Sequence, residues 1–563
     1  MGSFEHLNRL DISSTSIEEL PDSVTGINSL RTVQFAGCRK LKALPSNFGA
    51  LTRLRYLNCN STDIKVLPET CISNLCNLEI LELGHECVLP KDIRYLTKLR
   101  RLTLRREKYD EMPSGLDKLT CLEELDSLMV RKVKAFRTNL HSGMKELADL
   151  NLLQVLVIRN LENVRGPIDA GRARLQDKHN IRVLKLHWNE EVIDDSIVLE
   201  HLQPHPNLRT LEIGRFGGSK LPKWMGRSDS SLCCLPYLVE LCLENCNSCE
   251  QLPSFGLLPC LKVLSISKMR SLKCLGKEFY RQEEDEESSS VMVYNWRGIY
   301  AWATEIFPRN LGLGSLKLGC ATIQPGQPLV PPLMVRIKKT AKTTTITSLS
   351  SIVLPPLFPS LLELRIESMD NLEEWVAPPP AYRNSFPCLR SLIVRSCCKL
   401  RTTPISSFSS LSSLELCNTN DKAVGSILAS LAGEQIHCLS IEDSPDLIFF
   451  PIHNNSQLQS LSISRCSKFQ GFLLVNREEA CSRNSNNSYL YSSKFTDCPA
   501  LTSLPDLHSW TSLRKLWINN CDKLKDSIQY DLKSYKSLDT LFVDHVNLLG
   551  VPKSPVAGTG SVM

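Results

Sequence analysis

Three stretches of the sequence carry residues at spacings where chemistry is conceivable. "GRFGGSKL", from Gly214, has the glycines of a phosphate-binding loop. Its order is Gly218-Ser219-Lys220-Leu221, whereas phosphate chemistry needs Gly-Lys-Ser/Thr, with the lysine on phosphate and the hydroxyl on magnesium. "GLGSLK" at Gly312 lacks the third glycine of a dinucleotide fingerprint. Cys246-x-x-Cys249 has the spacing of half a zinc site, but no second pair stands at matching distance. Neither H-E-x-x-H nor G-x-S-x-G occurs, and the eleven histidines are scattered; His187 and His437 read as surface or packing residues rather than bases. The expectation is a non-catalytic chain that holds no cofactor and no metal.

The elements that would position any site are repetitive. "LRTVQF" starts at Leu30, "LRYLNC" at Leu54, "LEILEL" at Leu78, "LRRLTL" at Leu99 and "LEELDS" at Leu122, 21 to 24 residues apart. An L-x-x-L-x-L pattern at that period is the mark of a leucine-rich repeat. Its x-L-x-L core alternates with period two, so each repeat contributes a short strand with one buried face. Return segments end in Leu-Pro at Leu20-Pro21, Leu44-Pro45, Leu67-Pro68 and Leu89-Pro90; proline there stops the preceding element and turns the chain.

The pattern runs on through Leu153, Ile181, Leu208, Leu238 and Leu261. It resumes at Leu361, Leu389, Leu411, Ile436, Leu458, Leu513 and Leu538. "GPIDAGRARLQDK" places Pro167 to open a helical return. Of the 563 residues, 42% are hydrophobic but only 6% aromatic, which fits an aliphatic core. A repeat of ~23 residues loses ~30 kcal/mol of chain entropy, and its five or six aliphatic side chains return about 2 kcal/mol each; only the stack stands. The fold expected is an α/β solenoid, a horseshoe with a parallel β-sheet on the concave face and irregular or helical convex segments.

The 23 cysteines have positions in the repeat. Cys38, Cys246, Cys397, Cys466 and Cys521 each follow the last strand aliphatic by three residues, where a side chain can satisfy backbone groups inside the turn. Reduced, buried thiols imply an intracellular protein. With no leader and no apolar run near the roughly 18 residues of a span, the location expected is cytoplasmic. The sequons at Asn60, Asn454 and Asn486 then have no glycosylation route.

Some stretches are more specific than any repeat. "VIRNLENV", "LQPHPNLRTLEIGRFGGSKLPKWMG", "CEQLPSFGLLPCLKVLSISKM" and "LGKEFY" follow in order between about Leu150 and Tyr280, and "FPSLLELRIESMDNLEEW" follows from Phe358. They closely resemble the repeat domain of plant intracellular nucleotide-binding leucine-rich-repeat immune receptors of the coiled-coil class. The resemblance implies recognition of a pathogen effector or of a host protein that an effector alters. It also implies restraint of a nucleotide-binding domain that switches between ADP and ATP. "MGSFEHLNRLD" resembles a family phrase that normally lies inside the array. The expectation is therefore a truncated product or a partial gene model, unable by itself to bind or hydrolyse nucleotide.

The domain plan expected is an N-terminal array over 1–280, an irregular and partly disordered insertion over 281–357, a C-terminal array over 358–547 and a disordered tail over 548–563. The insertion opens with the acidic "RQEEDEESSS" and continues through a proline- and threonine-rich tract. A degenerate repeat at Leu313 is expected inside it, and the whole insertion could divide the solenoid in two. "SRNSNNSYLYSS" is expected to be a smaller loop.

Binding must come from the strand residues that face away from the core. In the early repeats these are Tyr56, Glu82, Arg101, Thr103 and Arg105. Basic residues gather nearby as Arg100, Arg101, Arg105, Arg106, Arg131, Lys132 and Lys134. Two readings stand: a solvated face, or, carried from the resemblance, a basic patch that docks the nucleotide-binding domain. Nucleic acid is disfavoured, because net charge is only +6 and no aromatics interleave the cations. In the last repeats Lys515, Trp517, Asn519, Phe542 and Asp544 share one face; they either anchor a protein partner or close the end of the stack. The competing function is a stand-alone adaptor or scaffold, and a third is a chain with no function.

Overall fold

The computed structural model describes residues 4, 6–104, 114–132, 143–189, 195–226, 234–280, 317–318, 321–322, 356–380, 385–404, 408–430, 436–453, 457–475, 489–504, 512–524 and 537–543. It divides into two units, residues 1–282 with 355–563, and residues 283–354. In the second, Lys317–Leu318 pairs antiparallel with Ala321–Thr322. Leu313, where a degenerate repeat is expected, lies outside the described residues.

The first unit is built on a nineteen-stranded sheet whose strands pair in parallel and in chain order from Arg9–Asp11 to Thr540–Val543. Register follows the leucines: Leu184 lies opposite Leu211, Leu241 opposite Leu264, Leu364 opposite Leu392. Side chains alternate across a strand, so the leucine row falls wholly on one face, and Leu57, Leu81, Leu102, Leu184, Leu211 and Leu264 are all 0% exposed.

The Leu-Pro pairs do not end the returns, as the sequence suggests; a turn or short helix follows them before the next strand, as Asp22–Gly26 does before Thr32–Gln34. Pro21, Pro68, Pro90 and Pro222 stand immediately before a turn or helix in the extended region, where a missing N–H costs nothing. Pro167 opens the helix Pro167–Gly171, as its position in the sequence predicts.

The strand exit repeats as well. Asn245, Ser396, Arg465, Asp497 and Asn520 hold left-handed φ values between 52° and 57°, and the next residue, always cysteine here, turns into the core. Each thiol donates to a turn carbonyl: Cys397 to Arg395 at 3.4 Å, Cys466 to Ser464 at 3.3 Å, Cys521 to Asn519 at 3.4 Å. Cys38 reaches the Ile12 carbonyl at 3.0 Å. This is the role assigned to these cysteines from their spacing. Burial also pushes the Cys397 thiol up to about 12, so it stays protonated. Cys246 and Cys249 are buried free thiols, and no group of three or more metal-binding side chains occurs among the described residues.

Residues 281–357 do not divide the solenoid. Val263–Ser267 pairs residue for residue with Glu363–Glu367, and Cys274–Leu275 with Glu374–Trp375. Aromatic packing makes the join. The Tyr280 and Phe358 rings lie 6.3 Å apart, and Phe358 stacks on Phe386 at 4.7 Å. The Tyr280 hydroxyl donates to the Val376 carbonyl at 2.7 Å and accepts from the Trp375 indole at 2.9 Å. Burying a hydroxyl is tolerable only with such partners. The expected tail, 548–563, lies outside the described residues.

One strand was not legible as a repeat. Ser492–Thr496 joins the sheet between Ser460–Ser464 and Lys515–Asn519, and its first two residues belong to the stretch expected to be a loop. Its leucine position holds Ser493, fully buried with an unpaired hydroxyl.

Candidate protein-interaction face

The face of the sheet opposite the leucines carries two or three side chains per strand, and most of its charges are spent on one another. Arg101 grips Glu124 of the next strand with two nitrogens, one at 2.8 Å. Lys185 reaches Glu212 at 2.6 Å, and the His187 Nε2 lies 3.2 Å from the same carboxylate. The His187 hydrogen bond, with Lys185 behind it, holds Glu212 down at about 2. Gly214 makes room for that imidazole: a Cβ there would stand 2.5 Å from its Nδ1. Arg395 bridges Glu367 at 3.0 Å and Glu415 at 2.7 Å, and Arg465 binds Glu442 at 2.8 Å and Asp443 at 2.7 Å. Such exposed pairs contribute little stability each, but they cancel charge along the face.

The basic residues singled out from the sequence are drawn into this pattern. Arg100 pairs with Glu123 at 2.7 Å and Arg101 with Glu124. Arg131 is tucked against Glu146 at 3.0 Å, with side chains only 13% and 16% exposed, and burial raises Glu146 despite the arginine. Lys132 is exposed. Arg105, Arg106 and Lys134 lie outside the described residues. The described arginines are therefore each matched by a glutamate from a neighbouring strand or return, and not gathered into a free cationic patch.

The C-terminal end differs. Trp517 and Phe542 are opposite one another in register, with Lys515 opposite Thr540. Phe542 is 50% exposed and Trp517 half-buried. Lys515 and Asn519 share their face, also half-buried, and the Lys515 ammonium sits 5.5 Å from the Tyr491 ring centre. Asp544 lies outside the described residues. The unrecognised strand adds Lys494, exposed and in register with Trp517. Two signals in the sequence mark that strand: the double-length gap between Leu458 and Leu513, and "FTDCPAL", which matches "INNCDKL" at the strand exit. An indole, a benzyl ring, two ammonium groups and a phenol can together pack and orient a peptide; nothing in this group resembles an acid–base or nucleophilic pair.

Parallel strands stacked at a period near 24 residues, with a leucine floor and a polar exit turn, define a leucine-rich-repeat solenoid. Residues 144–269 match the family model described as R13L1/DRL21 leucine-rich repeats. Putative disease resistance RPP13-like protein 1 of Arabidopsis thaliana is 24% identical over 337 residues, 60% of this chain and 25% of that protein. Putative disease resistance protein RGA1 of Solanum bulbocastanum is 47% identical over 72 residues, 13% of this chain and 7% of its own length. TMV resistance protein N of Nicotiana glutinosa is 28% identical over 136 residues, 19% and 12% of the two chains. The chain thus spans a quarter or less of the length of these relatives. Among solved structures, a leucine-rich-repeat protein of Leptospira interrogans aligns at 14% identity and a TM-score of 0.34, over 95% of this chain and 96% of that one. An internalin of Listeria monocytogenes aligns at 16% and 0.33, over 47% and 75%. The array is a repeat region of the type carried by plant nucleotide-binding leucine-rich-repeat disease-resistance proteins. No helix among the described residues is long and apolar enough to cross a membrane.

Proposed function

We propose that this chain is the sensing part of a plant immune receptor, acting by protein–protein contact and without catalysis. The open face of the sheet recognises a pathogen effector, or a host protein that an effector alters. The array also restrains the nucleotide-binding domain of a fuller receptor, and it works in the cytoplasm. In this reading residues 1–280 and 358–547 are two runs of repeats, and 281–357 is an insertion in one return.

The observation that carries the reading is the contrast along the open face. Charges in the early and central strands are matched by neighbours, whereas the last strands present Trp517 and Phe542 side by side, the residue types that dominate interface energetics. The names of the relatives, all disease-resistance proteins, support the biological setting.

The test is co-expression with a panel of effectors from pathogens of the source plant, scoring association by co-immunoprecipitation. Trp517→Ala with Phe542→Ala should leave the circular dichroism spectrum intact and weaken association at least ~30-fold, the effect of removing anchors worth about 2 kcal/mol or more. Undiminished association of the double variant rules out this face.

A further inference from the structure

We infer that the C-terminal end of the open face takes an extended, acidic polypeptide segment with an aromatic or aliphatic residue among its carboxylates. This rests on the reading of that face as the partner site and specifies the chemistry of what it holds.

Charge pairing changes along the face. From Thr210–Gly214 to Cys438–Glu442, the outward glutamates are met by cations: Glu212 by Lys185, Glu244 by Lys268, Glu367 and Glu415 by Arg395, and Glu442 by Arg465. From Ser460–Ser464 onward the outward positions carry Lys494 and Lys515 and no carboxylate among the described residues. The nearby acids are engaged elsewhere: Asp497 accepts from the Asn520 amide at 2.7 Å, Asp539 from Arg514 at 3.1 Å, and Asp443 from Arg465 at 2.7 Å. Neither Lys494 nor Lys515 forms an ion pair among the described residues; Lys515 lies instead over the Tyr491 ring.

The geometry selects the form of the partner. Lys494 is opposite Trp517, and Lys515 lies two residues before Trp517 on its own strand, which sets the two lysines on a diagonal of about 7–8 Å. Alternate side chains of an extended chain recur about 6.6–7 Å apart, so carboxylates at i and i+2 can meet both ammonium groups. The floor beside them is Ser460, Ser462, Ser464 and Ser492, small enough to let a backbone approach. Trp517 and Phe542 then take a side chain between or beside the carboxylates. Two cations are too few to hold a long polyanion, so a short acidic stretch suits the site better than nucleic acid.

The full chain would be titrated, by fluorescence anisotropy, into three fluorescein-labelled probes at 50 and 300 mM NaCl. These are a Gly-Ser-flanked Asp-Phe-Asp-Leu-Asp peptide, its counterpart with lysine for aspartate, and a single-stranded DNA oligonucleotide. The acidic peptide should bind, more weakly at the higher salt. Lys494→Glu with Lys515→Glu should weaken it ~10-fold or more and let the lysine peptide bind instead. No binding of the acidic peptide, equal binding by the charge-reversed variant, or DNA binding as tightly as the peptide overturns the inference. The Trp517→Ala, Phe542→Ala variant separates the two ideas. If it loses an effector that the charge-reversed variant keeps, the face is right and the acidic class is wrong. If both variants keep that effector, both ideas fall.

Discussion

Ser493 is the sharpest point at which sequence and fold disagree, and replacing it should strengthen the protein. It occupies the leucine position of its strand, between Leu461 and Leu516 in register, is 0% exposed, and its hydroxyl has no partner. A buried hydroxyl left unpaired costs about 1–3 kcal/mol, and Ser493→Ala removes that cost while changing little volume. A conservative gain is about 1 kcal/mol, roughly a fivefold change in a local equilibrium. Because each repeat touches only its neighbours, a single global unfolding midpoint would blur the effect. The assay is native-state hydrogen exchange followed on peptides covering 489–504 and 512–524, where protection should rise about fivefold; peptides from the first repeats should not change. Equal or faster exchange in Ser493→Ala would show that the hydroxyl is satisfied, and the reasoning would fail.

Other expectations follow from the same physics. Excising 283–354 and joining the ends through a short Gly-Ser linker should preserve the far-ultraviolet spectrum, since Tyr280 and Phe358 already pack together, and about three halvings of loop length should stabilise by ~2 kcal/mol; loss of cooperative unfolding would contradict the aromatic join. Glu212, held at about 2 against an ordinary 4.5, has a lowered folded pKa. Its contribution is therefore complete above pH 4.5 and lost as pH falls toward 2, at most about 3 kcal/mol; Glu212→Gln should flatten that part of the stability profile, and an unchanged profile would refute it. Iodoacetamide at pH 8 should modify exposed Cys76, Cys121, Cys398 and Cys438 first and spare Cys71 and Cys397, whose thiols burial pushes up to about 12. Peptide mass spectrometry reads the order, and rapid labelling of Cys397 would be incompatible with its place in the turn.

The sequence by itself determined the strands, because the leucine row must reach the core at every repeat and leaves its period in the chain. It marked the turns in part: cysteine three residues past the last aliphatic shows where the chain folds inward, whereas Leu-Pro, read as the end of a return, stands just before its turn or short helix. The aromatic pair at Trp517 and Phe542 was legible for the same reason, since alternation fixes which face a strand residue takes. Tertiary structure alone decided what the charges do. Arg101 and Glu124, or Arg395 and Glu415, are 20 or more residues apart in the chain and meet only because parallel register sets consecutive repeats side by side. Arg100 and Arg101 read as part of a basic patch until Glu123 and Glu124 of the next repeat are in place. Continuity across 281–357 was equally hidden, because stacking of Phe279, Tyr280, Phe358 and Phe386 depends on distance in space, which an intervening segment of any length leaves unchanged. The strand at Ser492–Thr496 was lost for the opposite reason: serine stands where leucine belongs, so only its exit, "FTDC", carries the repeat, and its neighbours on both sides impose the pairing.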